Sequence, residues 1–233
     1  MGVEVTDADI TPEALDEMQA FVYEYLNASV QNEDEGGRMR WYPWHSAEYR
    51  YNHILNVMAL AERIAAAEGA DVDVVRVAAL FHDVAKLDAD QEVHAEAGAR
   101  VARQYLKNRD NHPDPFVERV CTVIEQHTFT GDLRTVSPEA RALIEADILD
   151  KVGANGTALM LLRMGYEART HLDAATMVDR VYERGREAVD RVVSDTAHSI
   201  AHERLKRTKW FRDWLLEEVE GMDVDVEVRD QHR

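Results

Sequence analysis

Residues 74–87 read VVRVAALFHDVAKL. The run is apolar nearly all round a helical wheel, the pattern of a helix at the centre of a domain, and it predicts one helix over 73–87. Working outward, apolar residues recur at spacings of three and four on both sides. Leu15, Met18, Phe21, Val22 and Leu26 predict a helix over 11–27, opened by Thr11, Pro12 and Glu13 as cap, first helical position and early acid. A second helix is expected from Ser46 to its stop at Gly69, and others at 92–108, 115–127, 138–152, 157–167, 174–194 and 197–219. Between the first two lie a polar loop at 31–37 and the aromatic patch Trp41, Tyr42 and Trp44. After Gly221 valines alternate with acids, a pattern that fits a flexible tail better than a short strand. With 11 Gly and 5 Pro in 233 residues, helices are favoured over many short strands, so the expected class is all-α, a single-domain helical bundle.

The net charge is −18, and of the 27 basic residues 22 are Arg and 5 are Lys. Such a surface suits a salt-adapted cytoplasm, because at molar salt the screening length falls to about 3 Å and acidic self-repulsion becomes tolerable. It argues against broad nucleic-acid or anionic-membrane binding, which needs clustered Lys and Arg. No stretch approaches the roughly 20 apolar residues that cross a bilayer, and the first residues are acidic rather than basic and apolar, so a cytoplasmic protein is expected. Cys121 stands alone in the apolar run VCTVI, where a buried inert thiol is expected.

His82 and Asp83 need explaining inside so apolar a run. Burying an ionised carboxylate beside an imidazole costs several kcal/mol unless a positive charge compensates both, and a divalent cation would do so. On one helix the two side chains diverge by about 100°, so a shared ion would have to lie beside the helix between them. His53 precedes His82 by 29 residues and Asp147 follows Asp83 by 64, so four candidate ligands arrive from three helices.

His53, then ALFHDVAK at 79–86, then Asp147 resemble the H…HD…D signature of the HD superfamily, whose usual central motif is ALLHDIGK. The resemblance spans roughly residues 46–165. It implies a helical bundle of the HD-domain type in which His53, His82, Asp83 and Asp147 hold a catalytic divalent metal (Mn, Mg, Fe, Co, Ni or Zn). Residues 1–45 would then pack on the core, 166–220 would complete the same domain, and 221–233 would form the tail. A cation so held lowers the pKa of a water from 15.7 toward about 7, and no Ser or Cys nucleophile is then required. His94 and His127 match places where some subfamilies carry ligands of a second metal bridged by Asp83. The alternatives are that they contact substrate phosphate or sit as hydrogen-bonded histidines near the cleft.

Lys86 lies three residues after Asp83, where the family often places a lysine against substrate phosphate, and it joins Asp83 as a candidate catalytic residue. Arg50, Asp150 and Lys151 are further candidates for substrate binding, with Asp150 also placed to orient a ligand histidine. The segment DILDKVGANG at 147–156 resembles DADRLDAIGAIG of one HD subfamily that hydrolyses nucleotides or other small phosphate esters. Glu145, Ile148 and GANG depart from that pattern.

The expected activity is metal-dependent hydrolysis of phosphate esters or anhydrides of nucleotides or other small molecules. Alternatives are a nuclease, a cyclic-nucleotide phosphodiesterase, or a metal- or nucleotide-binding regulatory module without catalysis. Self-association stays open. His198 and His202 have the i, i+4 spacing of a ligand pair but no evident third ligand, and Trp210, Phe211, Trp214 and Leu215 read as core or a subunit contact.

Overall fold

The computed structural model describes residues 10–31, 46–108, 112–167 and 173–221. The polar loop from 32, the aromatic patch at 41–44 and the tail after Gly221 lie outside the described residues. Among the described residues are α1 Pro12–Gln31, α2 Ala47–Glu68, α3 Val72–Phe81, α4 His94–Asn108, α5 Asp114–Gln126, α6 Pro138–Asp150, α7 Ala154–Glu167, α8 Ala174–Arg191 and α9 Asp195–Glu220, one short 3-10 turn at Leu133–Thr135, and no strand. The all-α class is therefore as expected. No helix among them is long and apolar enough to cross a membrane.

The chain falls into two compact units. The first holds the described residues up to 150 together with 191–198, and the second holds 151–190 and the residues from 199 on. In the first, α3 contacts α1, α2, α4, α5 and α6 and buries Val74, Val75, Val77, Ala78, Ala79, Leu80 and Phe81, the all-round burial its composition predicts. α2 starts where Ser46 caps the Tyr49 N–H and stops at Gly69, whose φ of 73° is the left-handed conformation glycine adopts without steric cost. Its buried residues Ile54, Val57, Leu60, Ala61 and Ile64 follow helical spacing, and it packs on α3 and α6. Phe21 of α1 closes over Phe81 and Tyr105, with ring centroids 6.1 and 4.6 Å away. Cys121 is buried as expected, and burial pushes its thiol up to about 11.

One boundary differs from expectation in a way that shapes the site. The helix expected over 73–87 ends at Phe81, and residues 82–88 form turns. Continued α-helix would give the Ala79 carbonyl to the Asp83 N–H. Instead the His82 ring donates Nδ1–H to that carbonyl at 2.7 Å, and the next bonds shorten to i−3, Val84 N–H to Phe81 and Lys86 N–H to Asp83. The run stays apolar because Val84, Ala85 and Leu87 are buried as turn residues. The carbonyls of Phe81 and His82 then face α4 at Gly98, where a Cβ would stand 3.1 and 3.2 Å from them. Glycine is what lets α4 approach the turn so closely.

In the second unit, Arg212 of α9 donates Nε–H to Asp179 of α8 at 2.6 Å, and the hydroxyls of Thr157 and Thr208 meet at 3.3 Å. Trp210, Phe211 and Trp214 are exposed, which removes core from the two readings given for the cluster, core or a subunit contact: the face of α9 that is buried carries Ala201 and Thr208 instead.

Candidate metal centre

The site is built at helix ends of the first unit. His53 comes from the second turn of α2, His82 caps α3, Asp83 follows in the turn, His94 opens α4, His127 caps α5, and Asp147 lies in the last turn of α6. All four histidines are buried, with His82 fully so. Each donates Nδ1–H to an oxygen at 2.7 Å: His82 to Ala79 O, His94 to Gln91 O, His127 to Ile124 O, and His53 to the Asp150 carboxylate. Three of these use the carbonyl three residues earlier in the chain, so helix ends themselves fix the rings. With Nδ1 protonated in each neutral ring, every Nε2 presents a lone pair.

Those lone pairs converge on Asp83 in two groups of donors, His53 with His82 and Asp147, and Asp83 with His94 and His127. Asp83 Oδ2 lies 3.6 Å from His53 Nε2 and 3.8 Å from His82 Nε2, while Oδ1 lies 3.4 Å from His94 Nε2 and 3.6 Å from His127 Nε2. His53 Nε2 is 3.2 Å from Asp147 Oδ1. Ligands about 2.1 Å from a common cation stand about 3.0 Å apart at octahedral and about 3.4 Å at tetrahedral angles, so the spacings fit.

Three features mark an unmet need for positive charge. The Nε2 atoms of His53 and His82 are buried without a hydrogen-bond partner. His94 Nε2 and His127 Nε2 face each other at 3.1 Å, a contact that sets two lone pairs together unless a cation stands by. And the protein sends its own cations to Asp83: Arg50 Nη1 donates to Oδ2 at 2.6 Å, and Lys86 Nζ lies 3.9 Å from Oδ1 and 2.9 Å from His94 Nε2. Imidazole and carboxylate donors suit a transition-metal dication, and the residues present fit one.

Charge states follow the same geometry. Burial pushes the His82 imidazole down to about 3, so it stays neutral and ligand-ready at any physiological pH. For His53 burial also works downward, but the Asp147 and Asp150 carboxylates outweigh it and its pKa is raised. Burial alone would raise Asp83, yet Arg50 and the surrounding histidines hold it well below the ordinary carboxylate range.

The structure thus brings together His53, His82, Asp83, Asp147, His94 and His127, with Lys86 and Arg50 beside Asp83. Lys86 gets there from a turn, not from the helical face expected of it. Asp150 is buried behind His53, on the ring edge away from Nε2. Lys151 is exposed and begins the second unit. His198 and His202 belong to neither donor group found among the described residues. Sequence reasoning missed Gly98 as a site residue, and it noted Glu145 only as a departure from a pattern. Glu145 is fully buried and accepts from the Val193 and Ser194 N–H groups at 2.6 and 2.9 Å and from the Ser194 hydroxyl at 2.5 Å, anchoring the residues that open α9.

Residues 50–152 match the HD domain family. Over 189 residues the chain is 26% identical to YpgQ of Bacillus subtilis, covering 78% of this chain and 89% of that one. Over 90 residues it is 29% identical to a tRNA (cytidine(56)-2'-O)-methyltransferase of Thermoplasma volcanium, which is 39% of this chain but 24% of that protein. Among solved structures, YpgQ in complex with ADP superposes with a TM-score of 0.64 at 21% identity, over 90% of this chain and all of that one. An HD-superfamily hydrolase from Bacillus thuringiensis superposes with a TM-score of 0.66 at 21% identity, over 89% and 97%.

Proposed function

From the premise that this chain is an HD-domain protein, we propose that it is a metal-dependent hydrolase of phosphate esters or anhydrides, acting on nucleotides. The observation that carries the reading is Asp83, whose two oxygens each face a separate set of buried Nε2 lone pairs. In that reading His53, His82, Asp83 and Asp147 hold one divalent cation, and Asp83, His94 and His127 hold a second. Bound there, such cations supply an acidified water and neutralise charge on phosphoryl oxygens.

The chain's own residues do the rest. Asp150 fixes the His53 ring so that its Nε2 points inward, and the Ala79, Gln91 and Ile124 carbonyls do the same for the other three. Lys86 and Arg50, on opposite oxygens of Asp83, are placed to receive the anionic oxygens of a substrate, Arg50 as a planar fork and Lys86 as a point charge. A nucleotide is favoured because a protein of the same fold, YpgQ, has been crystallised with ADP. A substrate of that size also makes no demand for the long basic track that this acidic chain lacks.

The test is turnover. Nucleoside mono-, di- and triphosphates and p-nitrophenyl phosphate are incubated with the metal-stripped protein and Mn, Mg, Fe, Co, Ni or Zn, at low and at molar salt. The expected result is metal-restored release of phosphate or pyrophosphate from nucleotides above that from p-nitrophenyl phosphate. Stoichiometric metal binding without any turnover would replace the enzyme by a regulatory module.

A further inference from the structure

Arg50 is 9% exposed and rooted in the first turn of α2, three residues before His53. A guanidinium is not buried cheaply, yet this one makes a 2.6 Å bond from Nη1 to Asp83 and leaves its Nε buried without a partner. The oxygen it holds is Oδ2, the one turned toward His53 and His82. From this geometry we infer that Arg50 is an exchangeable counter-ion: it occupies the carboxylate that the first cation needs, and the cation binds only by displacing it. The inference rests on the metal reading above and adds to it a competition inside the site.

The physical logic is one of charge balance. Without Arg50 the metal-free centre would bury Asp83 Oδ2 without a cation of its own, among three imidazoles at 3.4 to 3.6 Å from the carboxylate and a fourth at 3.8 Å, with the Lys86 ammonium only on the other oxygen at 3.9 Å, a destabilising state. With Arg50 the carboxylate is neutralised in advance, so the fold does not depend on the ion. The cost falls on affinity, because the dication must break the ion pair and then sit near a guanidinium. Lys86 does not fill this role at Oδ2, since its ammonium lies on the other oxygen and at His94.

A residue that merely supports the ligands predicts the opposite sign on removal, which makes the inference testable by binding alone. Metal-stripped wild type, Arg50→Gln and Arg50→Lys are dialysed to equilibrium against Mn2+ at pH 8, and the melting temperature of each metal-free protein is recorded. Arg50→Gln is expected to bind Mn2+ at least tenfold more tightly than wild type while melting at a lower temperature without metal. Arg50→Lys, which keeps the charge and loses the fork, should move both in the same direction by less, and it carries the test if the Gln variant fails to fold. Equal or weaker Mn2+ binding in the folded variants would overturn the inference and leave the metal site standing. No Mn2+ binding by wild type would overturn the metal reading together with it.

Discussion

The two donor groups that share Asp83 differ in how far the protein satisfies them by itself. In the group of His53, His82 and Asp147 both ring Nε2 atoms are buried without a hydrogen bond. In the group of His94, His127 and Asp83 the rings touch each other at 3.1 Å, and the Lys86 ammonium donates to His94 at 2.9 Å. On the first side the resident cation is the Arg50 guanidinium, held on Asp83 Oδ2 and not on a ligand nitrogen, whereas on the second the ammonium sits directly on a ring nitrogen. The difference teaches what each cation must displace: one entering the first group moves the Arg50 guanidinium off Asp83 Oδ2 and then meets two unmatched ring nitrogens, while one entering the second must move the Lys86 ammonium off a ring nitrogen itself.

Asp83→Ala breaks the comparison outright, because it removes the residue common to both groups. Hydrolysis should fall to background and most metal binding should go with it, while the helical circular dichroism signal survives, since Asp83 sits in a turn after α3 and not within a helix. Wild-type-like turnover from a folded Asp83→Ala protein would sink the metal-hydrolase reading.

A smaller change is expected when only the second group is altered. In His94→Ala and His127→Ala, bound metal measured by elemental analysis after reconstitution with Mn or Fe should drop from about two per chain toward one, because too few strong donors remain to compete with water. If the two histidines instead contact substrate phosphate, wild type and variants all hold one metal. The loss then appears mainly in KM, provided the contact is equally strong in the ground and transition states.

How much of this was legible in the sequence depends on whether local spacing could report it. His53, the His82-Asp83 pair and Asp147 stand out because polar groups in strongly apolar helices demand a reason, and their order matches a family signature. The end of α3 was not legible. Hydrophobic period registers that Val84, Ala85 and Leu87 are buried, and it is blind to a histidine ring that takes the Ala79 carbonyl and turns the chain. Glu145 was read as a blemish in a motif because its partners, Val193 and Ser194, lie 48 and 49 residues away. Gly98 belongs to the same class: its need for a missing Cβ exists only once Phe81 and His82 carbonyls are packed against it. For Trp210 and Trp214, which are exposed, the sequence left core and subunit contact both open, since helical spacing cannot say which face a neighbour covers.

The finest test separates two histidines within the first group by pH, in the metal-free protein. His82 titrates near 3 when folded against 6.5 when unfolded, so below pH 6.5 the unfolded chain takes up a proton that the folded one refuses, and stability falls as the pH drops. Between pH 6.5 and 5 that amounts to about 2 kcal/mol, at 1.36 kcal/mol per pH unit. His53 works the other way. Its folded pKa is raised, so its contribution is complete below 6.5 and disappears as the pH climbs through the folded value. Melting temperatures of metal-stripped wild type, His82→Asn and His53→Asn between pH 5 and 8 resolve the two. Acid should cost the His82→Asn protein less than wild type and the His53→Asn protein more. Parallel curves for all three would mean that neither ring titrates as its surroundings require, and the assignment of His82 as a permanently neutral donor would fail with them.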